Sequence, residues 1–264
     1  MHGEEWGGHL IHSDLQDKKV INIKNRASSR EPRSILSLSE VLVANASRPW
    51  VKSQSSIKGL SRRDRLAIAA AIAWGVLLLC DTPWLTNPWL NKEDITLIID
   101  EDVRSGPSNR LVTYPALAYT FQSQTITLDK AKAEPSNSFQ GNQIRNKTLF
   151  ALGIILIELG LGKPFESFRA EARADGLEAS GSPQDDYVIA NSIIDNQILE
   201  RELSMSYANA VQRCIQCIFL GSESTQNFSH ASFKKQFYAG VVAPLQATYD
   251  GQITSTSLLQ SSQR

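Results

Sequence analysis

Two stretches of the chain are apolar on nearly every side. From Asn146 to Pro164 the sequence reads NKTLFALGIILIELGLGKP, and its leucines, isoleucines and phenylalanine cover almost the whole circumference of a helix. The pattern predicts a central buried helix. Gly162 suits a left-handed C′ position, Lys163 lies at the negative end of the helix dipole, and Pro164 cannot continue the helix. The second stretch, Arg65 to Cys80 (RLAIAAAIAWGVLLLC), follows Ser61 and Asp64, which form a box-like S-x-x-D cap. Both fall short of the roughly 20 apolar residues that span a bilayer, and the first contains Glu158. Two buried helices packed against each other are expected. A membrane-associated helical hairpin is the competing reading.

Polar and apolar positions elsewhere are less regular. Residues 1–33 are polar apart from Val20-Ile21-Asn22-Ile23 and predict a flexible leader holding one short strand. Ser34 to Ala46 begins a helical pattern with Ser37 or Ser39 as N-cap and Glu40 in the first turn. Asp81 to Lys92 (DTPWLTNPWLNK) predicts an ordered loop fastened by its tryptophans. Ile95 to Ile99 and Arg110 to Val112 predict a β-ribbon, and residues 122–145 a long surface segment. After the central helix come a short charged helix, a Gly- and Pro-containing loop, a helix over Asp186 to Leu199, and a helix over Tyr207 to Phe219. Ser232 to Tyr249 predicts a last amphipathic helix, broken or kinked at Pro244, and residues 251–264 a disordered tail.

Composition bounds the function classes. The chain has 264 residues, 42% of them hydrophobic and 20% charged, enough for one large domain with tails. Lys plus Arg (27) balances Asp plus Glu (27), so no overall field draws it to nucleic acid or to an anionic membrane. Three cysteines, Cys80, Cys214 and Cys217, form no disulfide framework, and no signal segment opens the chain; both point to an intracellular, cytoplasmic setting.

The order of elements resembles the C-terminal lobe of protein kinases, entered at the hinge. Thr148 to Phe165 (TLFALGIILIELGLGKPF) is similar to the kinase DVWSLGVILYELLTGKPPF stretch, and YANAVQRCIQC to the later kinase helix that ends in a cysteine. LSRRDRLAIAAAIAWGVLLLCDTPWL, NKTLFALGIILIELGLGKP and FYAGVVAPL together resemble a family of fungal proteins carrying a kinase-like domain of unknown function. Its members often sit behind helical domains similar to those of fungal cell-death and prion-inhibition proteins. The resemblance covers roughly Ser34 to Asp250. It implies a mainly α, kinase C-lobe-like domain over residues 34–250, with a minor β-ribbon and the N-lobe largely absent.

Phosphoryl transfer needs a base, metal ligands and groups that cradle ATP. If Asp94-Ile95-Thr96-Leu97 holds the place of the kinase N-I-L-L, the resemblance puts H-R-D on Asn87, Pro88 and Trp89, and an indole cannot accept the proton. The metal-binding D-F-G falls near Thr113, Tyr114 and Pro115, which carry no carboxylate, and the aspartate that heads the central helix in kinases is Thr148. Val20 to Lys24 (VINIK) invites comparison with V-A-I-K, but too little chain precedes it to build the phosphate-covering hairpin. The implied function is a noncatalytic, pseudokinase-like interaction or regulatory module without cofactor. The alternative is a residual phosphotransferase with Asp94, or the Asp100-Glu101-Asp102 run, as metal ligand.

The remaining constellations read as structure. Cys214 and Cys217 form a C-x-x-C with no second pair to complete a zinc site. Gly160 to Lys163 lacks the outer positions of a phosphate loop and reads as a helix end, and His230 stands alone. Arg62, Arg63 and Arg65 are expected to form a solvated first turn. The expected partner is a protein or a second copy of the chain, with no nucleic acid and no stable membrane insertion. Its surface is placed on the Thr82 to Leu90 loop, at Trp84, Leu85, Trp89 and Leu90, which would border the face that an N-lobe covers in kinases.

Overall fold

The computed structural model describes residues 7–10, 21–24, 34–46, 60–80, 82, 85, 90–101, 111–117, 143–177, 181–221 and 226–251. In chain order these form strands β1 (Gly7–Leu10), β2 (Ile21–Lys24) and β3 (Ser34–Ser37), helices α1 (Leu38–Ala46) and α2 (Arg62–Leu79), and strands β4 (Ile95–Glu101) and β5 (Leu111–Leu117). Helices α3 (Lys147–Leu161), α4 (Phe165–Ala174), α5 (Pro183–Asp195), α6 (Ile198–Glu202), α7 (Met205–Gln216) and α8 (Ala231–Phe237) follow. A π-helical turn, Tyr238–Val242, joins α8 to α9, residues 243–251. The described residues are mainly helical, as the apolar patterning requires. The expected tail after residue 251 and the polar segment over residues 122–142 lie outside the described residues.

The strands form two antiparallel sheets. β2 supplies the expected leader strand, and its partner β1 (GGHL) was not foreseen because two glycines depress strand propensity; Gly8 lies opposite Ile23. β3, β4 and β5 make the second sheet in that order, with Leu36 opposite Leu97 and Leu97 opposite Pro115. Pro115 is tolerated because β5 is an edge strand. Ile95 and Leu97, two apart, are both buried, as the period of a half-buried strand requires.

The helical expectation over Ser34 to Ala46 holds only from Leu38. Ser37 ends β3 and caps α1: its Oγ accepts from the Glu40 N–H at 3.2 Å, and the Glu40 carboxylate accepts from the Ser37 N–H at 2.8 Å. The Ser37 N–H and hydroxyl, both donating to the carboxylate, hold the Glu40 carboxyl below the usual range. The alternation Ser-Ile-Leu-Ser ahead of the cap belongs to the sheet because β4 lies alongside to satisfy its backbone.

The two apolar stretches are buried helices that pack on each other. α2 begins in a full Ser61–Asp64 capping box, and α3 in Asn146, whose side chain accepts from the Leu149 N–H at 3.0 Å. α3 ends at Gly162, left-handed at φ 72°. Arg65 reaches across from α2, its Nε donating to the Leu159 carbonyl at 2.8 Å. α7 covers another side of α3 through two glycines. A Cβ on Gly153 would lie 2.6 Å from Ile215 Cδ1, and one on Gly160 3.0 Å from the Tyr207 ring. The Tyr207 hydroxyl donates to the Leu156 carbonyl at 2.7 Å, so the two helices are bonded as well as packed.

Three boundaries differ from expectation. α5 begins at Pro183 rather than Asp186, because Ser182 and Asp185 form a capping box around a proline at the first position. The helix stops at Asp195; Gln197 is left-handed at φ 54° and starts α6 in a new direction. α7 stops at Cys217, also left-handed at φ 50°, so Cys214 and Cys217 are not on one continuous helix. At Pro244 the helix does not break. The Ala243 N–H bonds back to the Tyr238 carbonyl, and the widened turn relieves the clash that a proline ring makes with the preceding turn. Among the described residues no single helix is long and apolar enough to cross a membrane.

Two helical glycines should respond in opposite directions. Gly160→Ala meets the Leu203 methyl at 2.8 Å and the Tyr207 ring and is expected to lower stability by roughly 1–3 kcal/mol. Gly75→Ala in α2 has nothing within 4 Å and is expected to raise it by about 0.5–1 kcal/mol. Urea denaturation of the two variants beside the parent reads both signs.

Candidate functional site

One charged side chain is sealed inside the apolar core. Glu158, in α3, is 0% exposed. Its Oε1 accepts from Lys92 Nζ at 2.6 Å and from the Phe165 N–H, at the start of α4, at 2.7 Å. Lys92 stands in the turn that leads into β4 and bonds both oxygens of Glu166, at 3.0 and 2.8 Å. Beside it Arg169 of α4 grips Asp186 of α5 with two bonds of 2.6 Å, the fork geometry that suits guanidinium and carboxylate. Three carboxylates thus face two cations, and Glu158 Oε2 has no hydrogen-bond partner among the described residues.

The positions follow from local structure. Gly162 turns the chain and Pro164 forces the exit from α3, so the first N–H of α4 points back at Glu158 seven residues earlier. The carboxylate therefore caps the positive end of α4. Burial pushes the Glu158 carboxyl above its ordinary range, against the pull of Lys92. Burial also acts on Lys92, but the Glu158 and Glu166 carboxylates hold its ammonium above the usual lysine value. Burial opposes ionisation of Glu166 too, yet Lys92 keeps that carboxyl below its usual range. The Asp186 bonds raise Arg169. A cavity of about 300 Å³ adjoins the network, floored by Phe150, Ile154 and Ile155.

On the other side of α4 lies a wider groove, about 650 Å³ in volume, between the start of α2, the end of α3, and helices α4, α5 and α6. Leu161, Ile193, Ile198 and Leu203 line it, with Arg62 and Arg65 on one wall and Glu171 and Asp175 on another. Of the arginines expected to form a solvated turn, Arg62 is exposed, whereas Arg65 is not. Arg65 is half-buried and binds the Leu159 carbonyl, and Arg62 reaches the Leu203 carbonyl at 3.4 Å, because the last carbonyls of α3 and α6 lack helical partners. Burial draws Arg65 below its ordinary value.

The residues singled out from the sequence are not brought together. Trp84 and Trp89, like Asn87 and Pro88, lie outside the described residues. Leu90 is 7% exposed and belongs to the core, so it offers a partner nothing; Leu85 is packed against that core. Asp94 is exposed at the end of the turn before β4, its N–H bonded to the Asn91 carbonyl. Asp100 and Glu101 lie in β4, Asp102 lies outside the described residues, and Thr113, Tyr114 and Pro115 pair with Ile99, Ile98 and Leu97. Cys80, Cys214 and Cys217 are buried as thiols, and burial pushes the Cys214 thiol far up, which keeps it protonated and inert. His230 stands at the start of α8. Among the described residues no group of three or more His, Cys, Asp or Glu side chains is placed to hold a metal ion. The network itself was visible in the sequence only as Glu158 interrupting an apolar run; Lys92, Glu166, Arg169 and Asp186 carried no local signal.

Lys92→Met should leave Glu158 buried without its cation and cost roughly 3–5 kcal/mol at pH 7. A carboxyl whose folded pKa is raised stabilises fully below its unfolded pKa and loses that contribution as pH rises through the folded value. The deficit of Lys92→Met should therefore shrink from pH 7 towards pH 4. Adding Glu158→Gln should restore most of it at pH 7, since the amide oxygen still accepts from the Phe165 N–H. Urea midpoints across that pH range, for the single and double variants, test both statements.

No curated protein and no solved structure matches the chain. One family does, from residue 8 in β1 to residue 252, immediately after α9, and by that match the chain belongs to the family described as Domain of unknown function (DUF7580).

Proposed function

We propose that the chain is a noncatalytic, pseudokinase-like interaction or regulatory module acting inside the cell, in the cytoplasm. The observation that carries this reading is the Lys92–Glu158–Glu166 network. The buried charge binds the turn before β4 to α3 and α4, and so serves the fold rather than a substrate. Support also comes from the order of elements, a buried helix, a β-ribbon and a central apolar helix, which is the order that prompted the likeness to a kinase C-lobe. At the positions where kinases carry their base and metal ligands stand Asn87, Pro88 and Trp89, and Thr113 to Pro115. Three buried thiols suit a reducing compartment.

The rival is a residual phosphotransferase using Asp94. An exposed carboxylate at the end of a turn, in no group of three or more His, Cys, Asp or Glu side chains among the described residues, gives magnesium a poor purchase. Titration with ATP and magnesium is expected to leave the melting temperature unchanged. A ligand at 100 times its Kd would add about 2.7 kcal/mol, and a shift of that size abolished by Asp94→Ala would establish the rival.

The partner in this reading is a protein or a second copy of the chain, bound through the loop from Thr82 to Leu90. Leu85 and Leu90 fasten that loop to the core and leave Trp84 and Trp89 as its candidate anchors. Trp84→Ala and Trp89→Ala are each expected to weaken association in sedimentation or pull-down while leaving the melting temperature near that of the parent. A loss of roughly 3–5 kcal/mol in stability with unaltered association would instead make both of them core residues.

A further inference from the structure

The helices that line the groove beside α4 form a ring around it. Arg65 of α2 bonds the Leu159 carbonyl of α3, and Lys163, just past the end of α3, bonds Glu171 of α4 at 2.7 Å. α4 packs on α5 and α5 on α6, and Arg62 returns the ring to α2 through the Leu203 carbonyl. The arginines and the α4 carboxylates therefore stand on opposite sides, with the end of α3 between them in one direction and α5 and α6 in the other. The two sides differ in sign. Arg62 and Arg65, with Glu202 of α6 beside them, leave an excess of positive charge, whereas Glu171 and Asp175, with Lys163 beside them, leave an excess of negative charge. Between the two sides the floor is apolar, and Val188, 47% exposed, and Leu177, 39% exposed, carry the apolar surface out over the rim.

The walls decide the form of an occupant. They are helices and residues at helix ends, whose backbone groups are bonded within each helix, and the carbonyls of Leu159, Gly162 and Leu203 are taken by Arg65, Asn45 and Arg62. An extended peptide would find no strand edge here and would bring its own N–H and C=O groups unpaired against an apolar floor. A helix arrives with those groups already satisfied. The geometry points to an amphipathic helix of another protein as the occupant, with apolar residues at i, i+3, i+4 and i+7 on the groove floor. Its acidic flank faces Arg62 and Arg65, and its basic flank faces Glu171 and Asp175. A helix with flanks of one sign would set like charges against one wall, which costs affinity and gives the groove its selectivity. This surface is separate from the loop of Thr82 to Leu90, since neither Leu85 nor Leu90 lines it, and it stands whether or not that loop binds a partner.

The test selects a displayed peptide library against the full-length protein. Its members are helices of about 16 residues, long enough to hold the conformation, with apolar residues along one stripe and glutamate or lysine at random on both flanks. Selected peptides are expected to carry glutamate on one flank and lysine on the other. In fluorescence anisotropy, Val188→Asp should weaken their binding roughly tenfold with an unchanged circular-dichroism melt. Leu220→Asp, at an 83% exposed position outside the groove lining, should leave binding unchanged. Arg62→Glu should weaken it roughly fivefold, and lysine in place of the peptide's glutamates should restore affinity for that variant. An empty selection, selected peptides with one sign on both flanks, or binding indifferent to Val188→Asp or to Arg62→Glu would overturn the proposal. So would sedimentation in which Val188→Asp dissolves a dimer of the parent, which would give the groove to a second copy.

Discussion

α3 has no side that can face water, and that constraint places everything around it. A helix with apolar side chains at almost every angle must be enclosed, and the enclosure is built from α2, α4, α6 and α7. Close approach is allowed where side chains are absent: Gly153 and Gly160 let α7 come near enough for Tyr207 to bond the backbone of α3. Where enclosure would leave backbone groups without partners, side chains supply them. Asn146 and Glu158 accept from helix starts, Arg65 and Asn45 donate at the helix end, and the arrangement is tied as much by these bonds as by burial.

Glu158 shows what such an enclosure tolerates. A carboxylate so placed is costly unless paired, and here its partners are one ammonium and one backbone N–H, while Glu166 shares that ammonium and, as a like charge, opposes ionisation of Glu158. The network ties the turn before β4 to the central helix and α4, which lie 66 and 74 residues further along the chain. Its value lies in register. An apolar contact would allow β4 to slide along α3, whereas a charge-assisted bond of 2.6 Å fixes one residue against one residue.

Signals that act within a few residues were legible in the sequence. Ser61 with Asp64, Ser37 with Glu40, Gly162 and Pro164 all mark the ends that the fold shows, because a cap or stop is chosen by its immediate neighbours. What depends on a distant partner was not. Ser34 to Ser37 becomes a strand only because β4 lies beside it, and β1 only because β2 does. Arg65 read as a solvated charge, since the carbonyl it binds is 94 residues away. The candidate surface suffered likewise: Leu90 looks like part of an aromatic loop, and only the packed structure shows it in the core. The kinase likeness rested on the order of elements, which periodicity can reveal, and not on chemistry, which needs particular side chains in particular places.

The π turn ahead of Pro244 has a consequence for phase. One extra residue in a turn rotates everything after it by about 100° relative to an uninterrupted helix. Before the turn, Phe233 and Phe237 face Phe219 and Phe228; after it, Leu245 is buried and Tyr249 packs on the core. The two halves address different neighbours along one nearly continuous rod, and the widened turn is the gear that couples them. Shortening Tyr238–Val242 by one residue would keep the helix and misdirect its second half, so the spacing between Phe237 and Leu245 is as much a part of the fold as either side chain.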